Sequence, residues 1–434
     1  MEIVPFTDEM KKDYTILVPN MLPVHFKLLM AMLEEYGYKT KLLTNEGPEV
    51  IDTGLKYVHN DTCYPALLVI GQMINALQSG KYDLNKTALL ITQTGGGCRA
   101  SNYIHLLRKA LVKAGMGHIP VISLNFAGLE KDSSMKITLP ILRKMISTMA
   151  YGDLMMLLKN QTRPYEVNEG DCTKLINSWV KELANQFRHG RGLSIKDLER
   201  NMNAIAKSFS EIKVIRTDKV KVGVVGEIYV KYSSLGNNNL EQFLYEQDCE
   251  AMVPGILGFI IFKTDNRIED AKIHGGKKIM KTVCEFLVGY LKKIENCLLN
   301  AVSKYPQYHA PMPYAEMKKL VDGVIGYGTR MGEGWLLTAE IMELILSGYG
   351  NVVCAQPFGC LPNHIVGKGM VRRIKRLYPK SNIVPIDYDP GATKVNLENR
   401  IKLMLAVARE NKEEAVAAEE KEPALTHGGK TNGK

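Results

Sequence analysis

Apolar runs and stretches of helical periodicity alternate along the first third of the chain. Four short apolar runs predict strands at residues 14–20, 38–44, 87–92 and 120–125. Apolar residues at helical spacing predict the helices, at residues 25–36, 66–77, 100–114 and 135–158. The run at 87–92 is almost continuously apolar, as a parallel strand covered on both faces requires. This alternation predicts a doubly wound parallel sheet.

The pattern changes after residue 165 and then resumes. Between 165 and 216 the strand signals vanish, and helical stretches take their place at 172–188 and 195–215. Alternation restarts at 221–226 and continues through 256–262, with later predicted strands at 351–357 and 383–388 and helices at 276–298, 335–346 and 395–408. We therefore predict an α/β protein of two domains, residues 1–165 and 218–408, joined by a helical segment at 166–217. Residues 409–434 are predicted to be disordered or a frayed helical extension.

Composition narrows the class of protein. Apolar residues make up 45% of the chain and charged residues 24%, which is ordinary for a globular protein. No apolar run reaches the roughly 18 residues that span a bilayer, and the N-terminus shows no secretory signal, so we expect a cytoplasmic protein without a membrane partner. The formal charge is +10, but no basic stripe interleaved with aromatic residues is present, and we expect no nucleic-acid partner.

Eight cysteines are too few for a disulfide scaffold in a chain of 434 residues. In a reducing compartment such cysteines fill the core, act in catalysis or bind a metal. Four of them lie in helical or ordinary sequence contexts, and we predict a structural role for each: Cys172, Cys249, Cys284 and Cys297.

Three other cysteines, Cys63, Cys98 and Cys360, each come close to a predicted helix start after a strand or loop. A helix N-terminus lowers the pKa of a thiol, and the resulting thiolate binds soft metals. Our interpretation is that the three thiols converge on one iron–sulfur centre. Cys354 lies within an apolar strand, where a core position is the stronger interpretation. No Cys-x-x-Cys pair is present, so spacing by itself does not establish a cluster.

The residues around these cysteines leave alternatives open. Gly95, Gly96 and Gly97 allow a ligand to approach the backbone, but they also suit a tight turn or a phosphate cradle beside a bystander cysteine. Glu333 is either a favourable first-turn residue of a helix or a functional carboxylate. Three polar residues beside Cys360 either make hydrogen bonds around its thiol or serve only as capping residues at the protein surface: Asn363, His364 and Lys368.

Five motifs occur together and in order between roughly residues 14 and 408. They are Asn60-Asp-Thr-Cys63-Tyr-Pro65, Thr94-Gly-Gly-Gly-Cys98-Arg-Ala-Ser-Asn-Tyr103, Gly332-Glu-Gly-Trp335, Gln356-Pro-Phe-Gly-Cys360-Leu-Pro-Asn-His364 and Asp387-Tyr-Asp-Pro-Gly391. As an ordered set they resemble the 2-hydroxyacyl-CoA dehydratase superfamily, and specifically the dehydratase-like module associated with acyl-CoA dehydratase activases. Benzoyl-CoA reductase subunits and double-cubane cluster proteins belong to the same broad group.

The resemblance implies two flavodoxin/Rossmann-like domains with a [4Fe–4S] or double-cubane cluster at their interface, held by three cysteines. Cys63 and Cys98 match the first two ligand positions, Cys360 is our choice for the third, and Cys354 is the fallback. Gly95, Gly96, Gly97 and Arg99 then surround the cofactor, and Glu333 is the candidate catalytic carboxylate.

The resemblance also implies an oxygen-sensitive protein that takes low-potential electrons from a separate ATP-dependent activator. The expected substrate is an acyl-CoA or another small molecule, and the expected assembly is a homo- or heterodimer. Many relatives carry ATPase domains ahead of this module, and no nucleotide-binding motif is present here, so we expect no ATP hydrolysis by this chain alone. Two other hypotheses stay open: a non-catalytic scaffold that bears the cluster, and a metal-free Rossmann-like protein that binds an anion.

Overall fold

The computed structural model describes residues 3–59, 61–93, 97–125, 138–276 and 278–421. Within these ranges the chain forms eight strands: β1 Thr15–Val18, β2 Lys39–Leu42, β3 Thr87–Gln93, β4 Val121–Asn125, β5 Val220–Gly226, β6 Cys249–Met252, β7 Asn351–Pro357 and β8 Asn382–Tyr388. No helix of the described residues combines the length and the apolar content needed to cross a bilayer.

Helices occupy most of the remaining described chain. The first nine are α1 Met10–Asp13, α2 Pro23–Glu35, α3 Pro48–Tyr57, α4 Tyr64–Gln78, α5 Tyr103–Lys113, α6 Leu139–Thr162, α7 Asp171–Arg188, α8 Ile195–Ser210 and α9 Ile228–Tyr232. The next nine are α10 Ser234–Asn237, α11 Leu240–Glu246, α12 Ile256–Ile273, α13 Lys278–Val302, α14 Tyr314–Lys319, α15 Trp335–Leu346, α16 Leu361–Val366, α17 Val371–Leu377 and α18 Lys394–Lys421. Short 3₁₀ turns lie at Leu84–Lys86, Arg99–Asn102, Arg163–Tyr165 and Lys368–Met370.

The strands form two separate four-stranded sheets, and every strand pair is parallel. The first sheet has the order β2-β1-β3-β4 and the second the order β6-β5-β7-β8. In the register, Leu17 lies beside Leu89, and Val225 lies beside Cys354. Both orders are those of a flavodoxin-like sheet, in which the chain changes direction between the first and third strands. The predicted fold class, two doubly wound α/β units, is confirmed.

Each central strand is covered by helices on both faces, which explains its continuous apolar sequence. Along β7, Val353 and Ala355 belong to one hydrophobic cluster while Val352 and Cys354 belong to another. This two-residue alternation follows from the pleat of a strand. It places the core on both sides of the sheet and leaves the carboxyl ends of the strands as the edge where polar groups can gather.

The long helix α6 joins the two halves of the protein. It packs against α2 of the first half and against α12 and β6 of the second. On this helix Asp153, which is 4% exposed, lies 2.8 Å from His25 Nε2 and accepts hydrogen bonds from the backbone N–H groups of Ile256 and Leu257. Because this carboxylate on α6 contacts both α2 and α12, it fixes α2 and the start of α12 relative to each other.

Several details differ from the sequence-based prediction. The stretch at 256–262 is the beginning of α12, and the short strand β6 was not predicted. The helix predicted at 395–408 continues to Lys421, and residues 422–434 of the predicted tail lie outside the described residues. The predicted connecting segment contains α7 and α8, closed by an antiparallel bridge between Glu166 and Val214. The domain limits themselves stay a prediction, since α6 packs on both halves.

Candidate functional site

Three cysteines lie at the carboxyl ends of the two sheets, and we call Cys63, Cys98 and Cys360 the edge cysteines. Cys98 follows β3 and Cys360 follows β7, while Cys63 directly precedes α4, which leads into β3. Each one has extended backbone dihedrals and immediately precedes a helix or a 3₁₀ turn. These three are partly exposed, whereas the other five cysteines are buried. The edge cysteines are therefore the ones whose thiols a ligand can reach.

The turns of Cys63 and Cys98 are tied to each other. Cys63 Sγ lies 2.7 Å from the Tyr103 hydroxyl, and Tyr103 begins the helix that follows the Cys98 turn. In return, the Arg99 guanidinium donates a hydrogen bond to the carbonyl of Asp61, two residues before Cys63. The first domain thus presents both thiols from one connected surface.

Cys360 is held by the helix that it precedes. The side-chain amide of Asn363 donates to Cys360 Sγ at 3.4 Å and to Glu333 Oε2 at 2.7 Å. Asn363 is completely buried, and its Oδ1 atom has no hydrogen-bond partner among the described residues. His364 accepts from the backbone N–H of Gly359, and the Lys368 ammonium pairs with Asp387 at 2.8 Å. Of the three predicted polar neighbours, only Asn363 makes a hydrogen bond to the thiol among the described residues.

Glu333 is presented to this edge by two glycines with left-handed backbone. Gly332 has φ 59° and Gly334 has φ 51°, and a Cβ atom on Gly334 would lie 2.4 Å from the carbonyl oxygen of Thr329. Glu333 is 6% exposed and accepts hydrogen bonds from the Ile228 backbone N–H at 3.0 Å and from the Asn363 amide. The carboxylate therefore links the end of β5 to the loop that carries Cys360.

Glu227 belongs to the same group, and the sequence analysis missed it. It follows β5, and its side chain accepts a hydrogen bond from the Val230 backbone N–H at 2.9 Å. The preceding Gly226 has φ 145°, and a Cβ atom there would lie only 1.7 Å from the carbonyl oxygen of Ala355. The available signal was its position directly after the apolar run at 221–226, at the carboxyl end of a parallel strand.

Charges from both domains act on the edge cysteines. Burial raises the pKa of all three thiols, and the negative charge of Glu227 raises each of them further. Glu333 has the same effect on Cys98 and Cys360. Burial, followed by the charge of Glu333, raises the pKa of Glu227 itself. Since Glu227 interacts with every edge cysteine, the three thiols border one shared electrostatic environment.

These pKa directions correct one expectation. A helix N-terminus was expected to lower the thiol pKa, and hydrogen bonds from Ala66 and Ala100 to the thiols of Cys63 and Cys98 do act in that direction. Desolvation outweighs them, because the thiols are largely surrounded by protein. Without a bound metal these side chains are therefore neutral thiols near neutral pH, and a metal would have to displace the protons.

Lys263 contributes a positive charge to the site. Its ammonium donates to the Gly332 carbonyl, and burial lowers its pKa while the charges of Glu333 and Cys98 oppose that change. The two domains also meet directly here, because a Cβ atom on Gly97 would lie 3.0 Å from the Met331 side chain. Gly97 thus allows the Cys98 turn to approach the loop that carries Glu333.

The remaining predicted site residues have different surroundings. Cys354 is completely buried in the core on β7, where burial raises its pKa to about 12, and its sulfur lies 2.9 Å from the position of a Cβ on Gly367. Arg99 is exposed and bonded to the Asp61 carbonyl as described. Gly95 and Gly96 lie outside the described residues. The four cysteines predicted to be structural are all buried.

Among the described residues, no three His, Cys, Asp or Glu side chains lie close enough together to hold a metal ion. An iron–sulfur cluster binds its thiolates on separate irons, so its ligands lie farther apart than those of a single ion. No family model matches this chain, and no curated protein matches it.

Proposed function

We propose that this chain is an iron–sulfur protein of the 2-hydroxyacyl-CoA dehydratase type. It would act in the cytoplasm, accept low-potential electrons from an ATP-dependent activator and pass them to a small-molecule substrate at the cluster. One observation carries the proposal: the thiols of Cys63, Cys98 and Cys360 come from two domains, lie at the carboxyl edges of both sheets, and all interact with the carboxyl group of Glu227.

The donor set fits a [4Fe–4S] or double-cubane cluster. Cys63, Cys98 and Cys360 would hold it, since thiolate is the usual ligand of such clusters. Three thiolates leave a further iron position for substrate or for a bridging sulfide. When bound, the cluster supplies single-electron chemistry.

The chain's own residues would set the conditions for that chemistry. Asn363 and Glu333 orient the Cys360 thiol through the hydrogen bonds described. Three thiolates and the Glu333 carboxylate make the site negative, and negative charge near a cluster lowers its reduction potential. Lys263 partly offsets this charge. Each thiol is largely surrounded by protein, which limits the access of water to the ligand sulfurs.

Anaerobic purification tests the proposal. We expect a brown protein with about four or more irons per chain and matching sulfide. Replacing Cys360 by Ser should remove far more iron than replacing Cys172 or Cys297, both of which are buried away from the edge. A Cys354→Ser variant decides between the two candidates for the third ligand. A colourless protein whose folding is unchanged by Cys98→Ser would contradict the proposal and favour a metal-free anion-binding protein.

Turnover separates an enzyme from a scaffold. The purified protein would be combined with the activator, ATP, a reductant and a 2-hydroxyacyl-CoA. Dehydration or reduction of the substrate would support a catalytic role, and binding of the activator without turnover would favour the scaffold.

A further inference from the structure

Exposed apolar side chains lie at the protein surface beside two of the edge cysteines, Cys98 and Cys360. We call four of them the apolar rim: Met331 (50% exposed), Phe358 (65%), Leu361 (70%) and Ile365 (51%). Phe358 and Leu361 flank Cys360, and Met331 lies against Gly97, beside Cys98.

The rim is continuous across two loops. A Cβ atom on Gly332 would lie 3.0 Å from the Pro362 side chain, so the Met331 loop contacts the Cys360 turn. Phe358 also packs edge-on against the His364 ring, with centroids 6.4 Å apart. Single exposed apolar residues are ordinary on protein surfaces, but a cluster around a functional site marks an interaction surface.

A basic segment extends from this rim. Between residues 351 and 386 the sequence contains no Asp or Glu, and six cations follow the Cys360 turn: Lys368, Arg372, Arg373, Lys375, Arg376 and Lys380. All six are exposed. Lys368 pairs with Asp387, and Arg373 donates to the Gly323 carbonyl. The other four have no ion pair with any residue that the structure describes, so their charge is available to a partner.

We propose that the apolar rim and the basic segment form the docking surface for an electron-donor protein with an acidic face. The inference rests on the proposed function, since it assigns the partner of the same cluster. Complexes that transfer electrons bury little area and dissociate readily, so their affinity comes from a small apolar contact. Complementary charges around such a contact raise the rate of encounter and fix the orientation. Here the apolar contact lies beside Cys360, and the chain that follows it carries six cations and no carboxylate up to residue 386.

The test is the rate at which a reduced acidic [2Fe–2S] ferredoxin, used as the probe, reduces the anaerobically purified protein. The variant Arg372→Glu/Arg376→Glu reverses the charge of two cations that have no ion pair among the described residues. It should lower the second-order rate constant for reduction by the ferredoxin about tenfold or more. The matched control is Lys181→Glu/Arg188→Glu, which makes the same charge change on exposed residues of α7. A Leu361→Ser variant tests the rim independently of charge.

The control variant should differ from wild type by less than about twofold, because unfocused surface charge has a smaller effect on encounter. Raising the ionic strength from about 0.01 M to about 0.15 M shortens the Debye length from ~30 Å to ~8 Å. This change should slow the reduction of the wild type, whereas the rate for Arg372→Glu/Arg376→Glu should stay nearly unchanged. Reduction by dithionite should be equal in all variants.

Equal rates for the two double variants, or a rate insensitive to salt, would overturn the docking proposal. A stable homodimer that protects the rim, seen by light scattering and lost in Leu361→Ser, would also overturn it. Iron content is measured first for every variant. A colourless protein would overturn the proposed function and this inference together, whereas a brown protein with unchanged rates would overturn the docking surface alone.

Discussion

Removal of the Glu333 carboxylate should weaken both the fold and the candidate metal site. Glu333 is 6% exposed and accepts hydrogen bonds from the Ile228 backbone N–H and from Asn363. Glu333→Ala leaves two buried donors unpaired, and each costs about 1–3 kcal/mol, giving a loss of about 2–6 kcal/mol. The substitution also relieves the repulsion between Glu333 and Glu227, so the loss of stability should lie toward the lower end of this range. At about 2.1 cal/mol/K of unfolding entropy per residue, that corresponds to a fall of roughly 2–7 °C in Tm for a chain of this size.

The same substitution should lower the affinity of the site for iron. Asn363 contacts both Glu333 and Cys360, so it loses one of its two anchors in the variant. Loss of such a supporting hydrogen bond typically lowers metal affinity about 10- to 100-fold. The assay is iron retention under anaerobic titration with a chelator, together with Tm by circular dichroism.

Glu343→Ala is the matched control. Glu343 lies on α15, the helix that follows the Glu333 loop, is also 6% exposed, and accepts hydrogen bonds from the Met312 backbone N–H and the Ser347 hydroxyl. Its loss should cost about 1–3 kcal/mol, because Ser347 is partly exposed and can bond to water instead. Iron retention should stay at the wild-type value. If Glu333→Ala holds iron as firmly as Glu343→Ala, Glu333 has no part in supporting the ligand cysteine.

Two further predictions concern stability and pH. Asp153→Ala leaves His25 and two backbone donors unpaired in the core, so it should lower the free energy of unfolding by about 3–5 kcal/mol in a denaturant titration. The control Asp248→Ala removes an exposed carboxylate and should cost under about 1 kcal/mol. Equal effects of the two substitutions would contradict the role given to Asp153. Burial raises the pKa of Glu343 above its ordinary 4.5, so the folded state binds this proton more tightly than the unfolded state does. Stability contributed by this group is therefore lost as pH rises above about 4.5, and Glu343→Gln should lose less stability than wild type between pH 5 and 8; parallel pH profiles would refute the assignment.

The sequence by itself determined that the sheets are parallel and covered by helices, and it located seven of the strands, β1 to β5, β7 and β8. Runs such as 87–92 and 351–357 are apolar on both faces, and only a strand covered by helices on both sides makes use of such a run. Because parallel strands place their carboxyl ends at one edge, the positions of Cys98 and Cys360 directly after two of these strands could be predicted. Local periodicity suffices for these conclusions, since it reports which faces of an element are covered.

The short strand β6 was decided by tertiary contacts. Its sequence, Cys249-Glu-Ala-Met252, gives no strand signal, and its Glu250 is 4% exposed. The hydroxyls of Tyr165 and Tyr349, far away in the chain, both donate to the Glu250 carboxylate and make its burial possible. A buried carboxylate is tolerated only when such partners are present, and periodicity carries no information about them.

The electrostatics of the candidate site were likewise invisible in the sequence. The position of each cysteine before a helix favoured a lowered thiol pKa, yet burial and Glu227 raise it. The partnership of Glu333 with Asn363 and with the end of β5 joins residues 30 and 105 positions apart. Solvent exclusion and charge depend on everything that surrounds a group in space, so they are set only when the two domains come together.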